Sequence, residues 1–182
     1  MPMTVEELQK YAKDTLDETK AKLVAKNDFF PQIYMVKGDT LSLFAFDPAW
    51  MNSGRAKSAL FGAVKRMAKE TQAEAVICVT DGWGIKHSSE QEKRLREDED
   101  YRAEYQRIAD EEGLPEAAAA GFGELWEAII VTVQSPLYQI LMTQNYQRKG
   151  KDDKTFSHWG EFKGLNTNIG KLKGRILFFD EA

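Results

Sequence analysis

The sequence predicts an α+β fold: a mixed, largely antiparallel sheet of about five to seven strands flanked by helices, in the order αββα-β-α-ββββ. Three observations predict it. Helical and strand periodicities do not alternate regularly, as a doubly wound fold would require, and the last third of the chain reads mostly as adjacent strands. Two helical stripes bracket a hairpin near the N-terminus. No internal repeat and no long linker divides the 182 residues, so 1-182 is expected to be a single domain with a highly charged helical excursion at about 88-112.

The first helix opens at Thr4, a natural N-cap. Glu7 stands three residues on as the second half of a capping box, and Met3 and Leu8 flank it at staple spacing. Val5, Leu8, Ala12, Leu16 and Leu23 mark its apolar stripe, and it ends near Ala25 or Lys26. Residues 33–36 and 41–46 then alternate with period two. Gly38 between them suits the first central position of a type II′ turn, so the pair reads as a hairpin, apolar on both faces and buried under helices. Asp47-Pro48 stops the second strand. A helix capped by Asn52 or Ser53 follows to about Glu70, with Ala56, Ala59, Leu60, Ala63, Val64 and Met67 as its core stripe. Residues 75–80 form an unbroken apolar run, hence a short central strand that stops at Asp81-Gly82-Trp83-Gly84.

Ser88 to Glu112 holds ten acidic and five basic side chains. Glu90/Arg94, Glu92/Arg96, Asp98/Arg102 and Arg107/Glu111 stand at i,i+4, which supports a solvated helix with a thin apolar face of Leu95, Tyr101, Tyr105 and Ile108. Gly113-Leu114-Pro115 ends it, and residues 116–120 are at most one helical turn. Residues 125–134 and 137–146 read as strands joined at Ser135-Pro136. Residues 155–162 read as another, Gly164, Gly170 and Gly174 punctuate a loop, and residues 175–179 close the domain as a last strand.

Composition excludes several classes. Hydrophobic residues are 42% and charged residues 30%, the profile of a folded soluble domain rather than a disordered or fibrous chain. A lone cysteine, Cys78, rules out a disulfide framework within the chain. No apolar stretch reaches the roughly 20 residues that span a bilayer, and the N-terminus has no basic and apolar leader pattern, so a cytoplasmic location without membrane partners is expected. Net charge is −4, which hides an asymmetry. Residues 88–112 carry −5, and residues 146–175, with eight basic and three acidic side chains, carry +5.

The familiar catalytic signatures are missing. No Walker A, GxSxG, HExxH, EF-hand or CxxC pattern occurs. Gly82-Trp83-Gly84 and Gly121-Phe122-Gly123 each begin a GxGxxG pattern, but His87 and Trp126 stand where the third glycine belongs. Glu161-Phe162-Lys163 matches part of a metal-nuclease pattern. Glu18-Thr19-Lys20 and Asp152-Asp153-Lys154 match as well, so the pattern is near chance and Glu161 and Lys163 are expected to face solvent. Aromatic and basic residues interleave from Tyr146 to Arg175, including Arg148, Lys151, Phe156, His158, Trp159, Lys171, Lys173 and Arg175. The acidic balance of the whole chain speaks against nucleic-acid binding, which is not favoured.

Two functional readings follow. The first is a non-catalytic binding or regulatory protein of unknown ligand, self-associating or bound to a protein partner. It would act through protein–protein contacts of the charged helix, with Leu95, Tyr101, Arg102, Tyr105, Arg107 and Ile108 as interaction residues. No cofactor is expected. The alternative is a small metal-assisted hydrolase directed at a phosphodiester or nucleic acid. Its site would lie near Asp81, with Asp81, His87, Glu127 and His158 as catalytic residues around a divalent metal.

Overall fold

A computed structural model of the chain describes residues 2–150, 152–169 and 178–179. The elements run α1 (Val5–Lys26), β1 (Gln32–Lys37), β2 (Thr40–Phe44), a 3-10 turn (Pro48–Asn52), α2 (Gly54–Thr71), β3 (Ala75–Lys86), α3 (Ser89–Glu97), α4 (Glu99–Glu111), α5 (Leu114–Ala119), β4 (Glu124–Gln134), β5 (Tyr138–Arg148) and β6 (Phe156–Asn168). The strands form one antiparallel six-stranded sheet in the order β2-β1-β3-β4-β5-β6, and the fold is α+β. Of the expected last strand over 175–179, residues 175–177 lie outside the described residues, and Phe178 and Phe179 form a bend. No helix among the described residues is long and apolar enough to cross a membrane.

The chain divides into two compact units. The first comprises Met1–Asp81, Ile129–Gln144 and Glu161–Ala182; the second comprises Gly82–Ala128 and Asn145–Gly160. In the first unit, α1 begins as its sequence dictates. Thr4 Oγ1 accepts from the Glu7 N–H while the Glu7 carboxylate accepts from the Thr4 N–H. Leu8, Ala12, Leu16 and Leu23 are buried, and Thr19 fills the one gap in that stripe. Its hydroxyl is satisfied by the Thr15 carbonyl at 2.8 Å, so a polar residue sits on the core face at little cost.

The hairpin closes as a two-residue turn with Lys37 opposite Thr40. Of its two central residues only Gly38 takes a left-handed φ, +54°, as a type II′ turn requires. Strand β1 is buried, but β2 is not: Leu41 is 49% and Leu43 58% exposed. The expectation of a hairpin buried on both faces therefore fails for β2. It stands at the sheet edge, while α2 packs on the inner strands β1 and β3. Helix α2 packs Leu60, Phe61, Val64 and Ala68 onto Ile33, Met35, Val76 and Cys78, and Phe178 completes that core. Its buried face is thus rotated from the expected stripe. Ala59 and Met67 are exposed, Ala56 and Ala63 half-buried, and Phe61 takes the place that the alanines cannot fill. Ser53 caps the helix, accepting from the Ala56 N–H.

Strand β3 does not stop at Asp81. It runs through Gly82-Trp83-Gly84 to Lys86. Glycine costs a strand roughly 0.5–1 kcal/mol, about what one ladder hydrogen bond returns, so glycines alone do not end a strand that has a partner to pair with. The same holds for Gly164, expected in a loop and found inside β6.

Candidate functional site

The second unit carries the residues singled out for chemistry and for interaction, apart from Asp81. The expected single helix over 88–112 is two helices. Ser88 starts α3 with a capping box to Gln91, and the chain breaks at Asp98, whose carboxylate accepts from the Tyr101 N–H at 3.0 Å and caps α4. Asp98 was expected only as an i,i+4 partner of Arg102. Its short side chain satisfies a helix N-terminus better than it satisfies a helix interior, and that preference breaks the run. Arg102 instead donates to the Leu95 and Arg96 carbonyls at the end of α3. The bond from Tyr101, reinforced by Arg94, holds the Asp98 carboxyl below its ordinary range.

Helix α3 buries no residue. On α4, Ile108 is buried and packs with Ala117 of α5 and Phe122, while Tyr101 and Tyr105 lie against it half-buried. The Tyr101 and Tyr105 rings meet the Phe122 ring at centroid distances of 4.8 and 5.6 Å. Arg94 lies 3.9 Å over the outer side of Tyr101. Much of the apolar surface of Tyr101, Tyr105 and Ile108 is therefore used inside the unit. What the two helices leave to solvent is charge. Arg107 forms ion pairs with Glu104, Glu111 and Glu112 at 2.9–3.4 Å, and Arg102 and Leu95 are exposed and half-buried respectively.

His87 follows β3 and points at the polypeptide rather than at a substrate site. Its Nδ1 is 2.6 Å from the Phe122 carbonyl oxygen, which can only accept, so Nδ1 carries the proton. Its ring meets Tyr105 edge-on at 5.2 Å. Gly123 makes this approach possible: a Cβ there would lie 2.7 Å from the Lys86 carbonyl and against the Ile85 side chain. The Gly121-Phe122-Gly123 stretch, weighed in the sequence only as a broken nucleotide motif, is thus a packing device. The glycine spacing was its visible signal.

Glu127 pairs with Arg148, and the two side chains are only 13% and 17% exposed. Arg148 also donates to the Lys154 carbonyl and lies 5.6 Å from the Tyr146 ring. His158 is exposed on β6. Ser157 Oγ is 3.0 Å from its Nδ1, and its ring stands edge-on to Trp126 at 5.6 Å. Within this unit His87, Glu127 and His158 each have a different partner set. Asp81 is exposed on β3, in the first unit. Among the described residues, no group of three or more His, Cys, Asp and Glu could hold a metal ion.

Where the basic and aromatic stretch is described, its aromatic rings are used in packing while Lys149, Lys154 and Lys163 stay exposed. Tyr146, Phe156 and Trp159 stack on one another at 4.5–6.5 Å, and Tyr146 is buried. Lys151, Lys171, Lys173 and Arg175 lie outside the described residues. Glu161 and Lys163 face solvent and pair with each other at 3.7 Å.

No protein-family model, curated protein or solved structure matches this chain.

Proposed function

We propose that the protein is a non-catalytic binding or regulatory protein of the cytoplasm that self-associates and meets a protein partner through the α3–α4 surface. The observation that carries this reading is the division of labour on those helices. Much of the apolar surface of Tyr101, Tyr105 and Ile108 packs on Phe122 and Ala117, while a dense field of exposed charge is left outward. A field of that kind steers association and fixes register, and its net negative sign suits a basic partner surface. The alternative of a hydrolase near Asp81 draws less support, because His87 and Glu127 are each committed to a structural partner.

The test is affinity capture from the source cells with the tagged wild type and with the double variant Glu92→Lys/Asp110→Lys, which reverses two exposed acidic charges of that surface, both confirmed folded by circular dichroism. A protein held by the wild type and lost from the variant is the expected result. Identical captured proteins would overturn the helical contact. Metal-dependent phosphodiester hydrolysis that vanishes in Asp81→Asn would replace this reading with the alternative.

A further inference from the structure

We infer that self-association runs through the free edge of β2, two copies pairing their β2 strands antiparallel about a two-fold axis at Ser42. The inference rests on the self-association in the reading above and is independent of the α3–α4 contact.

Among the described residues, β2 has a strand neighbour on one side only. Edge strands ordinarily carry a lysine, a proline or a bulge that discourages pairing. This one reads Thr40-Leu41-Ser42-Leu43-Phe44, and no charge interrupts it or the following Ala45-Phe46. Two of its leucines are about half exposed.

The register settles which backbone groups are free. Lys37 and Thr40 close a two-residue hairpin, so they form a hydrogen-bonded pair, as do Met35 with Ser42 and Ile33 with Phe44. The N–H and C=O groups of Thr40, Ser42 and Phe44 therefore point toward β1. Those of Leu41 and Leu43 point outward. An antiparallel copy centred on Ser42 sets Leu41 of each chain opposite Leu43 of the other, as hydrogen-bonded pairs that engage all four outward groups of each strand's two leucines. The four leucine side chains then meet on one face of the joined sheet.

The opposite face supplies the rest of the contact. There a groove of about 480 Å³ is lined by Met35, Thr40, Ser42, Phe44, Met67 and Thr71, between the hairpin and the C-terminal end of α2. In the same register, Phe44 of each copy stands opposite Thr40 of the other, on the groove side. Phe44 packs on its own core and lines its own groove, so its ring meets the partner's Thr40 at the rim of that groove, where Met67 is 39% exposed. A five-residue edge alone falls short of the roughly 800 Å² per partner of a standard interface. The leucine contacts on one face and the Phe44–Thr40 contacts on the other add area, and the resulting dimer is expected to dissociate on dilution. The arrangement is isologous and closes at two copies.

Ser42→Cys tests the register. Residues facing each other in a non-hydrogen-bonded antiparallel pair have Cα atoms about 4.5 Å apart, within the range of about 4.4–6.8 Å that a disulfide spans. The native Cys78 is 6% exposed and does not compete. Sedimentation of the wild type over a wide concentration range should show mass rising toward two chains. Mild oxidation of Ser42→Cys should give a covalent dimer on a non-reducing gel. Adding Leu43→Lys, a change at an exposed position, should return both readouts to one chain mass. A dimer that survives Leu43→Lys, or a dimeric protein in which Ser42→Cys fails to cross-link, overturns the β2 interface and leaves self-association standing. A wild type of one chain mass at every concentration overturns both, while the helical contact is still judged by affinity capture.

Discussion

Gly160 lies directly beneath the indole of Trp126. A Cβ built on the glycine would come 2.8 Å from ring Cε3 and 2.9 Å from Cη2, and closer still to Cζ3. The ring thus reaches across β5 and seats on the β6 backbone rather than on a side chain. Gly160→Ala should force the ring aside and cost about 1–3 kcal/mol. Gly84→Ala, where nothing lies within 4 Å, should cost far less. Urea unfolding of the two variants compares them directly, and equal midpoints would refute the contact.

Glu127 and Arg148 form an ion pair that is largely out of water. Removing one partner leaves the other charge uncompensated, so Glu127→Gln should destabilise by about 2–3 kcal/mol, below the full cost of a completely buried pair. Replacing both, Glu127→Leu with Arg148→Met, should recover much of that loss. A double-mutant cycle by chemical denaturation gives the coupling, and additive effects would show that the pair contributes nothing.

Burial pushes the Cys78 thiol up to about 12, because the thiolate cannot be solvated in the core. The unfolded thiol titrates near pH 8.5. The native state therefore holds its proton where the unfolded state has released one. The contribution of Cys78 is full below about pH 8.5 and falls as pH rises toward the folded value. Stability measured at pH 8 and pH 10 should drop more in the wild type than in Cys78→Ala. At neutral pH a thiol reagent should label the protein only as fast as it unfolds, and rapid labelling of the folded protein would contradict the burial.

Asp98 behaves in the opposite sense. Its carboxyl is held low by the Tyr101 N–H it caps and by Arg94. The cap is fully present above the unfolded carboxyl value of about 3.9 and is lost as pH falls through the lower folded value. Helical circular dichroism should lose a step in acid that Asp98→Asn, a capping residue that does not titrate, lacks. Superimposable acid titrations would remove Asp98 from the start of α4.

The sequence by itself determined the elements whose signals are local. The Thr4/Glu7 box, the Gly38 turn and the Ser53 cap involve residues within a few positions of one another, and each stands where its spacing places it. The α+β class followed from the same local patterns. Tertiary structure decided what depends on neighbours distant in sequence. Pairing carried β3 through two glycines. Position at the sheet edge exposed leucines whose alternation looked like core. The Asp98 break was locally encoded but masked by charge pairs of equal spacing. The candidate site divided in the same way. Residue types chosen for chemistry were legible, but their partners were not: His87 with Phe122 and Glu127 with Arg148 are separated by 35 and 21 residues. Periodicity records which way a side chain points along its own element. Which carbonyl or charge it meets there is settled only when strands and helices pack.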